Sequence, residues 1–251
     1  MGGSFSDTHL SKENTMATQV FKIGIPIYDQ CDLMDIAAPC EMFLWMNQTW
    51  QTKTSKQKSA QVLLVSANKK AVKTGAGVTI TPDTTFADCP QLDMLWVPGG
   101  NPPGLKARMR DPIFLRFLRT QSKHAKFVCS VCEGALLAAS AGFLNGQKAT
   151  THWAFKSCLE RFKKVEVVKD YPRFVVNHDK AKRKYVVTGG GISSGLDEAL
   201  KLVELITDEV LGAGTGKAVA KGVQLTTQYF PKPPFTGKIP SSKHCPLDDV
   251  K

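Results

Sequence analysis

From residue 21 onward, short apolar runs alternate with longer stretches whose apolar residues recur every three or four positions. Phe-Lys-Ile-Gly-Ile-Pro-Ile (21–27) is rich in Ile and ends in turn residues, so it reads as a buried strand. Residues 61–67, 94–100, 126–131 and 184–191 are further runs of the same kind. Helical spacing occupies 35–45, 112–121, 134–141 and 194–210. The last is the clearest, with Leu196, Ala199, Leu200, Val203 and Ile206 on one face and Ser193 or Ser194 placed to cap it. Continuous apolar strands alternating with helices predict an α/β fold with a mostly parallel sheet covered on both faces. Ligands of such folds bind beyond the carboxyl ends of the strands, so strands that end in glycines carry most information. No internal repeat is present.

The flanks differ from this pattern. Residues 1–18 are polar and are expected to be disordered. Residues 19–212 form the α/β domain, and 213–251 form an extension with one short helix over 218–228. The prolines beyond it exclude sheet interior, so the extension is expected to wrap over the domain or a partner subunit, with its last dozen residues mobile.

Composition narrows the picture. A chain of 251 residues, 42% hydrophobic, buries a large core without staples. No run approaches the ~20 apolar residues of a membrane span, and the polar N-terminus lacks a signal-peptide apolar region, so a cytoplasmic protein is expected. Met1-Gly2 followed by Ser6 has the spacing of an N-myristoylation signal; one acyl chain at Gly2 would give only weak membrane association. The net charge of +11 draws on residues 156–184, but strand-like Val-Glu-Val-Val and Arg-Phe-Val-Val interrupt the basic positions. Without stacking aromatics or a recognition helix, these are expected to be solvated edges rather than a nucleic-acid surface. Seven cysteines, an odd number, argue against a disulfide framework and for a reducing compartment.

The segment Lys-Phe-Val-Cys-Ser-Val-Cys-Glu-Gly (126–134) passes from strand to helix with Cys132 at the hinge. Ser130 and Gly134 flank it at two residues' distance, and small residues there are what a strained nucleophile elbow demands. A helix N-terminus also favours a thiolate, so Cys132 is the candidate nucleophile, against the bland reading of an inert buried thiol. Cys129 and Cys132 are formally a C-x-x-C pair, but along a strand their Cα atoms would lie ~10 Å apart, too far for a disulfide. Gly99 and Gly100, ending a strand, with the Glu133 N–H, are candidate oxyanion donors, each worth about 3–4 kcal/mol. Asp35, beyond the first strand, is the candidate proton partner, or else a helix cap. His152 is a second candidate acid or base, or else a structural histidine. No spacing points to a metal site.

These residues, Cys132 within SVCEGALLAASAGFLNGQKATTHWA together with WVPGG, TGGGISSGLDEAL, LMDIAAPCEMF and VQLTTQYFPKPPF, resemble the ThiJ/PfpI superfamily, and within it the isonitrile hydratase branch, over about residues 20–236. The resemblance implies a flavodoxin-like three-layer sandwich, a homodimer, a small-molecule substrate and no cofactor. It implies that Cys132 attacks an isonitrile carbon, that Asp35 protonates it, and that water releases an N-substituted formamide. Gly191 and Ile192 would place backbone beside Cys132, and His152 stands where other branches keep a histidine. Two departures stand out. Glu133 replaces the threonine that follows the cysteine in hydratases, and Ala37-Ala38 replaces a Thr-Gly after the acidic residue. The alternatives are glyoxalase-like conversion of 2-oxoaldehydes, centred on Glu133 or His152, and a non-enzymatic sensor whose Cys132 oxidises.

Overall fold

The structure is a computed structural model and describes residues 19–54 and 57–247. In chain order, β1 (Gln19–Pro26), α1 (Leu33–Lys53), β2 (Lys58–Ser66), β3 (Val72–Lys73), β4 (Thr79–Ile80), β5 (Thr84–Thr85) and β6 (Met94–Val97) make up the first half. There follow α2 (Pro102–Met109), α3 (Pro112–His124), β7 (Phe127–Ser130), α4 (Gly134–Ala141), β8 (Lys148–Ala149), α5 (Lys156–Leu159) and β9 (Glu166–Val167). The chain closes with β10 (Phe174–Asp179), β11 (Lys184–Gly189), α6 (Ser194–Leu211) and α7 (Gly216–Thr226).

Seven strands form one sheet in the order β10-β11-β7-β6-β1-β2-β5, parallel except where β10 pairs antiparallel with β11. β6 and β7 are buried along their whole length, which is why their sequences run apolar without alternation. Helices pack around the sheet, α1 with α6 and α7, and α2 and α3 with α4. The result is the mostly parallel α/β architecture expected from the pattern, in the flavodoxin-like form that the resemblance implies.

α1 and β2 run beyond their predicted bounds, and α2 is among the elements that the sequence pattern did not foresee. α1 continues to Lys53 because Met46 and Trp50 prolong its buried stripe, and the Trp50 indole N–H donates to Thr207 Oγ1 of α6 at 2.9 Å. β2 starts at Lys58, paired with Gln19 of β1. α2 opens on Pro102 and Pro103, residues tolerated in a first helical turn because those N–H groups have no intrahelical partner.

The C-terminal extension corrects two expectations. Cys158 in α5 and Cys245 form a disulfide across 87 residues, so the cysteine count did not exclude a cross-link. The end of the extension is held rather than mobile as far as Leu247, which is fully buried and whose carbonyl accepts a hydrogen bond from Arg161 at 3.1 Å. The predicted disordered tail, the acylation signal at Gly2 and residues 248–251 lie outside the described residues.

Candidate active site

Four parallel strands deliver their carboxyl ends to one place. β1 leads to Asp32 and the first turn of α1, which carries Asp35; β6 leads to Gly99 and Gly100, β7 to Cys132, and β11 to Gly190, Gly191 and Ile192. Backbone contacts lock these loops together. Asp32 N–H donates to Gly99 O at 3.0 Å, Val131 N–H to Val97 O at 3.1 Å, and Cys132 N–H to Gly190 O at 2.8 Å. The Thr151 hydroxyl donates to the Cys132 carbonyl at 2.8 Å.

Cys132 has φ +54°, a left-handed conformation that costs an L-residue roughly 1–2 kcal/mol. The elbow is held by close backbone approach: a Cβ on Gly134 would lie 2.2 Å from Val97 O, so only glycine fits. Such a strained residue at the centre of the sheet, where ligand sites form, makes Cys132 the candidate functional position.

Three carboxyl groups surround the sulfur. Asp35 is wholly buried; its Oδ2 accepts the Gly99 N–H at 2.8 Å, and its Oδ1 has no hydrogen-bond partner. Burial holds this carboxyl well above the ordinary range, and the nearby Asp32 and Glu133 charges push the same way, outweighing the Gly99 hydrogen bond. The site thus favours the protonated form of Asp35. Glu133, 5% exposed, is pushed up to about 7, chiefly by burial, against hydrogen bonds from the Cys132 thiol and from its own and Gly100 backbone N–H groups. Asp32, raised by burial, accepts a hydrogen bond from Glu133. Thiol, glutamic acid and aspartate thus form a short proton chain.

The thiol itself is raised well above its ordinary value, first by burial and then by Asp35 and Glu133. The expected thiolate at a helix N-terminus is corrected accordingly. Glu133 occupies the cap position of α4, and burial first, then the Asp35 and Glu133 carboxyls, oppose a negative sulfur at this helix end. The expected oxyanion hole is revised too. The N–H groups of Gly99, Gly100 and Glu133 are spent on the carboxyls of Asp35 and Glu133.

His152 caps the 3₁₀ turn Trp153–Phe155, accepting the Ala154 N–H at Nδ1. Its Nδ1 lies 3.6 Å from Glu133 Oε1, beyond hydrogen-bonding range, and burial lowers its pKa, so it stands as a neutral wedge between Glu133 and Gly191. Cys129 is a free, fully buried core thiol, as expected, and does not bond to Cys132.

Sequence reasoning missed Asp32, Thr151 and Glu198. Glu198 is fully buried with neither oxygen hydrogen-bonded, and burial, then the Asp35 charge, push its pKa well up. A signal was present, since Glu198 falls on the apolar face of α6 between buried Gly195 and Leu202. Asp32, Cys132 and Glu133 bring ligand atoms within 4.8 Å of one another, one metal-capable group that local spacing could not reveal. A cavity of about 430 Å³ adjoins the Cys132 backbone through Thr151 and Gly190, which hydrogen-bond to it; His152 also lines it, Met34, Ile192 and Ile239 are among its apolar walls, and Cys132, Asp35 and Glu133 are not in its lining.

The DJ-1/PfpI family model matches residues 22–205. An isonitrile hydratase from Pseudomonas putida is 35% identical over 222 residues, covering 88% of this chain and 84% of that protein. Among solved structures, a ThiJ/PfpI family protein from Pseudomonas syringae superposes with a TM-score of 0.70 at 28% identity, covering 94% of this chain and 88% of the other. Oxidized DJ-1 of Toxoplasma gondii, at 20% identity and a TM-score of 0.62 over 84% of this chain and all of the other, shares the fold.

Proposed function

The chain belongs to the DJ-1/PfpI family, and from that premise we propose that it hydrates isonitriles to N-substituted formamides, with Cys132 as nucleophile and Asp35 as acid. The observation that carries the reading is a wholly buried Asp35 carboxyl, held by the Gly99 N–H with its other oxygen unpartnered, beside the left-handed strand-to-helix Cys132; burial raises its pKa and so favours the proton-bearing form. A neutral carboxyl can give a proton to carbon; an ionised one cannot.

The thiol proton passes to ionised Glu133, and the sulfur bonds to the terminal carbon of the isonitrile. The carbon electron pair takes the proton of Asp35, giving a thioimidate. Water then adds across the C=N bond and leaves one proton on nitrogen; its second proton returns to Asp35 as the C–S bond breaks, and the sulfur recovers its proton from Glu133. The balance is one isonitrile and one water to one formamide, with no oxidant or reductant. Gly191 and Ile192 border the reacting carbon, and Glu133 takes the place of a threonine hydroxyl beside the sulfur.

One observation favours a second reading. Glu133, at about 7 and hydrogen-bonded to Cys132, is matched to neutral-pH base work. In a glyoxalase-like reaction it would move a proton between adjacent carbons of a 2-oxoaldehyde hemithioacetal, with His152 nearby. The test is turnover of p-nitrophenyl isocyanide by wild type, Cys132→Ala and Asp35→Asn, with the formamide identified by mass. Turnover lost in both variants supports the hydratase; turnover of phenylglyoxal alone, sensitive to Glu133→Gln, supports the second reading.

A further inference from the structure

The cavity beside Cys132 has an outer wall that comes from far along the chain. Beyond α7 the described residues form no helix or strand, yet Ile239 reaches the cavity and lines it. Its position is set from both sides. Upstream, the Tyr229 hydroxyl donates to Asp197 Oδ2 at 3.0 Å. Downstream, the Ser242 hydroxyl donates to the Ala154 carbonyl at 3.0 Å, Cys245 is bonded to Cys158, and Leu247 is fully buried. Four prolines (Pro231, Pro233, Pro234 and Pro240) stiffen the span between these anchors.

The chemistry of the walls is equally defined. Met34, Trp153, Tyr171, Pro172, Ile192 and Ile239 present apolar surface. Arg173 is the one cation lining the cavity among the described residues, and its guanidinium is engaged by Asp197 and by the hydroxyl and carbonyl of Ser193. An anionic substituent would therefore have to displace an existing ion pair, whereas a neutral apolar one meets ready-made contacts.

We infer that residues 229–247 are a specificity wall, pinned by the Cys158–Cys245 disulfide, which selects a neutral, bulky apolar substituent such as an aryl or branched alkyl group on the substrate. This rests on the isonitrile reading only for the identity of the reacting group. Reduction by a dithiol, which converts the disulfide to two thiols as the reagent closes to a cyclic disulfide, releases the downstream anchor and loosens the wall. Bulky apolar substrates then lose contacts, while small ones lose little.

The test begins with peptide mapping of the oxidised protein without reductant, which should yield the linked Cys158 and Cys245 peptides; their absence overturns the anchor. The ratio of kcat/KM for p-nitrophenyl isocyanide to that for methyl isocyanide is then measured for wild type, for wild type in dithiothreitol, for Cys158→Ser with Cys245→Ser, and for Ile239→Asp. The ratio should fall about tenfold in all three perturbed cases, a typical consequence of changing a hydrophobic pocket contact. Ile239→Asp retains the disulfide, so an unchanged ratio in that variant overturns the inference whatever the cysteine variant does. If the wild type turns over neither isonitrile, the hydratase reading falls and the wall is judged by labelling. Opening it should lower the alkylation rate of Cys132 by N-phenylmaleimide relative to iodoacetamide, followed by peptide mass, and an unchanged relative rate overturns it.

Discussion

Replacing Glu133 by Gln should make the protein more stable, and only above a defined pH. In the folded state Glu133 titrates at about 7 against an ordinary 4.5, so between those values the folded chain holds a proton that the unfolded chain has released. Unfolding then releases protons, and stability falls as pH rises, by about 1.4 kcal/mol per pH unit. The full contribution is present below pH 4.5 and is lost by about pH 8. An interval of ~2.5 pH units corresponds to about 3 kcal/mol, and because the side chain is only 5% exposed, solvent screening takes little from it. Glutamine keeps the shape and cannot ionise. Urea unfolding followed by tryptophan fluorescence, at intervals from pH 4.5 to 8.5, should show the difference between variant and wild type growing with pH in favour of the variant. Glu198, which burial and Asp35 raise, adds a slope of the same sign to both proteins, whereas Asp35 is relieved of the Glu133 charge in the variant, which moves the difference in the same direction. A difference that stays constant across the range refutes the argument, since a constant offset reports packing rather than a buried charge.

Cys132→Ala should abolish turnover, and Asp35→Asn should lower kcat on isonitriles by about 10²-fold or more, because the amide keeps the Gly99 hydrogen bond but has no acidic proton; steady-state kinetics decides. Iodoacetamide should label Cys132 more slowly than a free thiol at pH 7 and faster as pH rises, since burial and the carboxyls keep it protonated; rapid labelling that does not vary with pH would contradict this. Gly134→Ala should cost about 3 kcal/mol or more, because its methyl would sit 2.2 Å from the Val97 carbonyl; a urea midpoint equal to wild type would show that the elbow can open. Thr207→Val should cost about 1–3 kcal/mol by leaving the buried Trp50 N–H without its acceptor, read as a lower urea midpoint at unchanged m-value.

The parts of the molecule legible in the sequence are those set by local rules. The run 126–141 shows strand, hinge and helix within sixteen residues, and the small residues on either side of Cys132 are a steric requirement of the turn itself. Asp35 was legible because it follows β1 at the sheet end where ligands bind. Whether Gly99 and Gly100 face a substrate or a neighbouring carboxyl depends on where α1 and Glu133 arrive, which is a tertiary fact. The same applies to the thiol, where a helix end argues locally for a thiolate and three carboxyls from two loops argue against it. Asp32 lies in a turn with no motif of its own. The Cys158–Cys245 bond was least accessible of all, since nothing near either cysteine announces a partner so distant.

That bond also divides the chain topologically. It closes a ring that holds β9, β10, β11, α6 and α7, while β1, β6 and β7, the middle of the sheet, lie on an open arm outside it. In the oxidised denatured state the molecule is a tadpole rather than a linear coil. Restricting a ring of this size removes roughly 4.5 kcal/mol of loop entropy from the unfolded ensemble in the chain-entropy picture. Because β11 must still dock edgewise on β7, the ring and the arm cannot fold as independent units. The entropy withheld from the tail is thereby conferred on the sheet that presents Cys132.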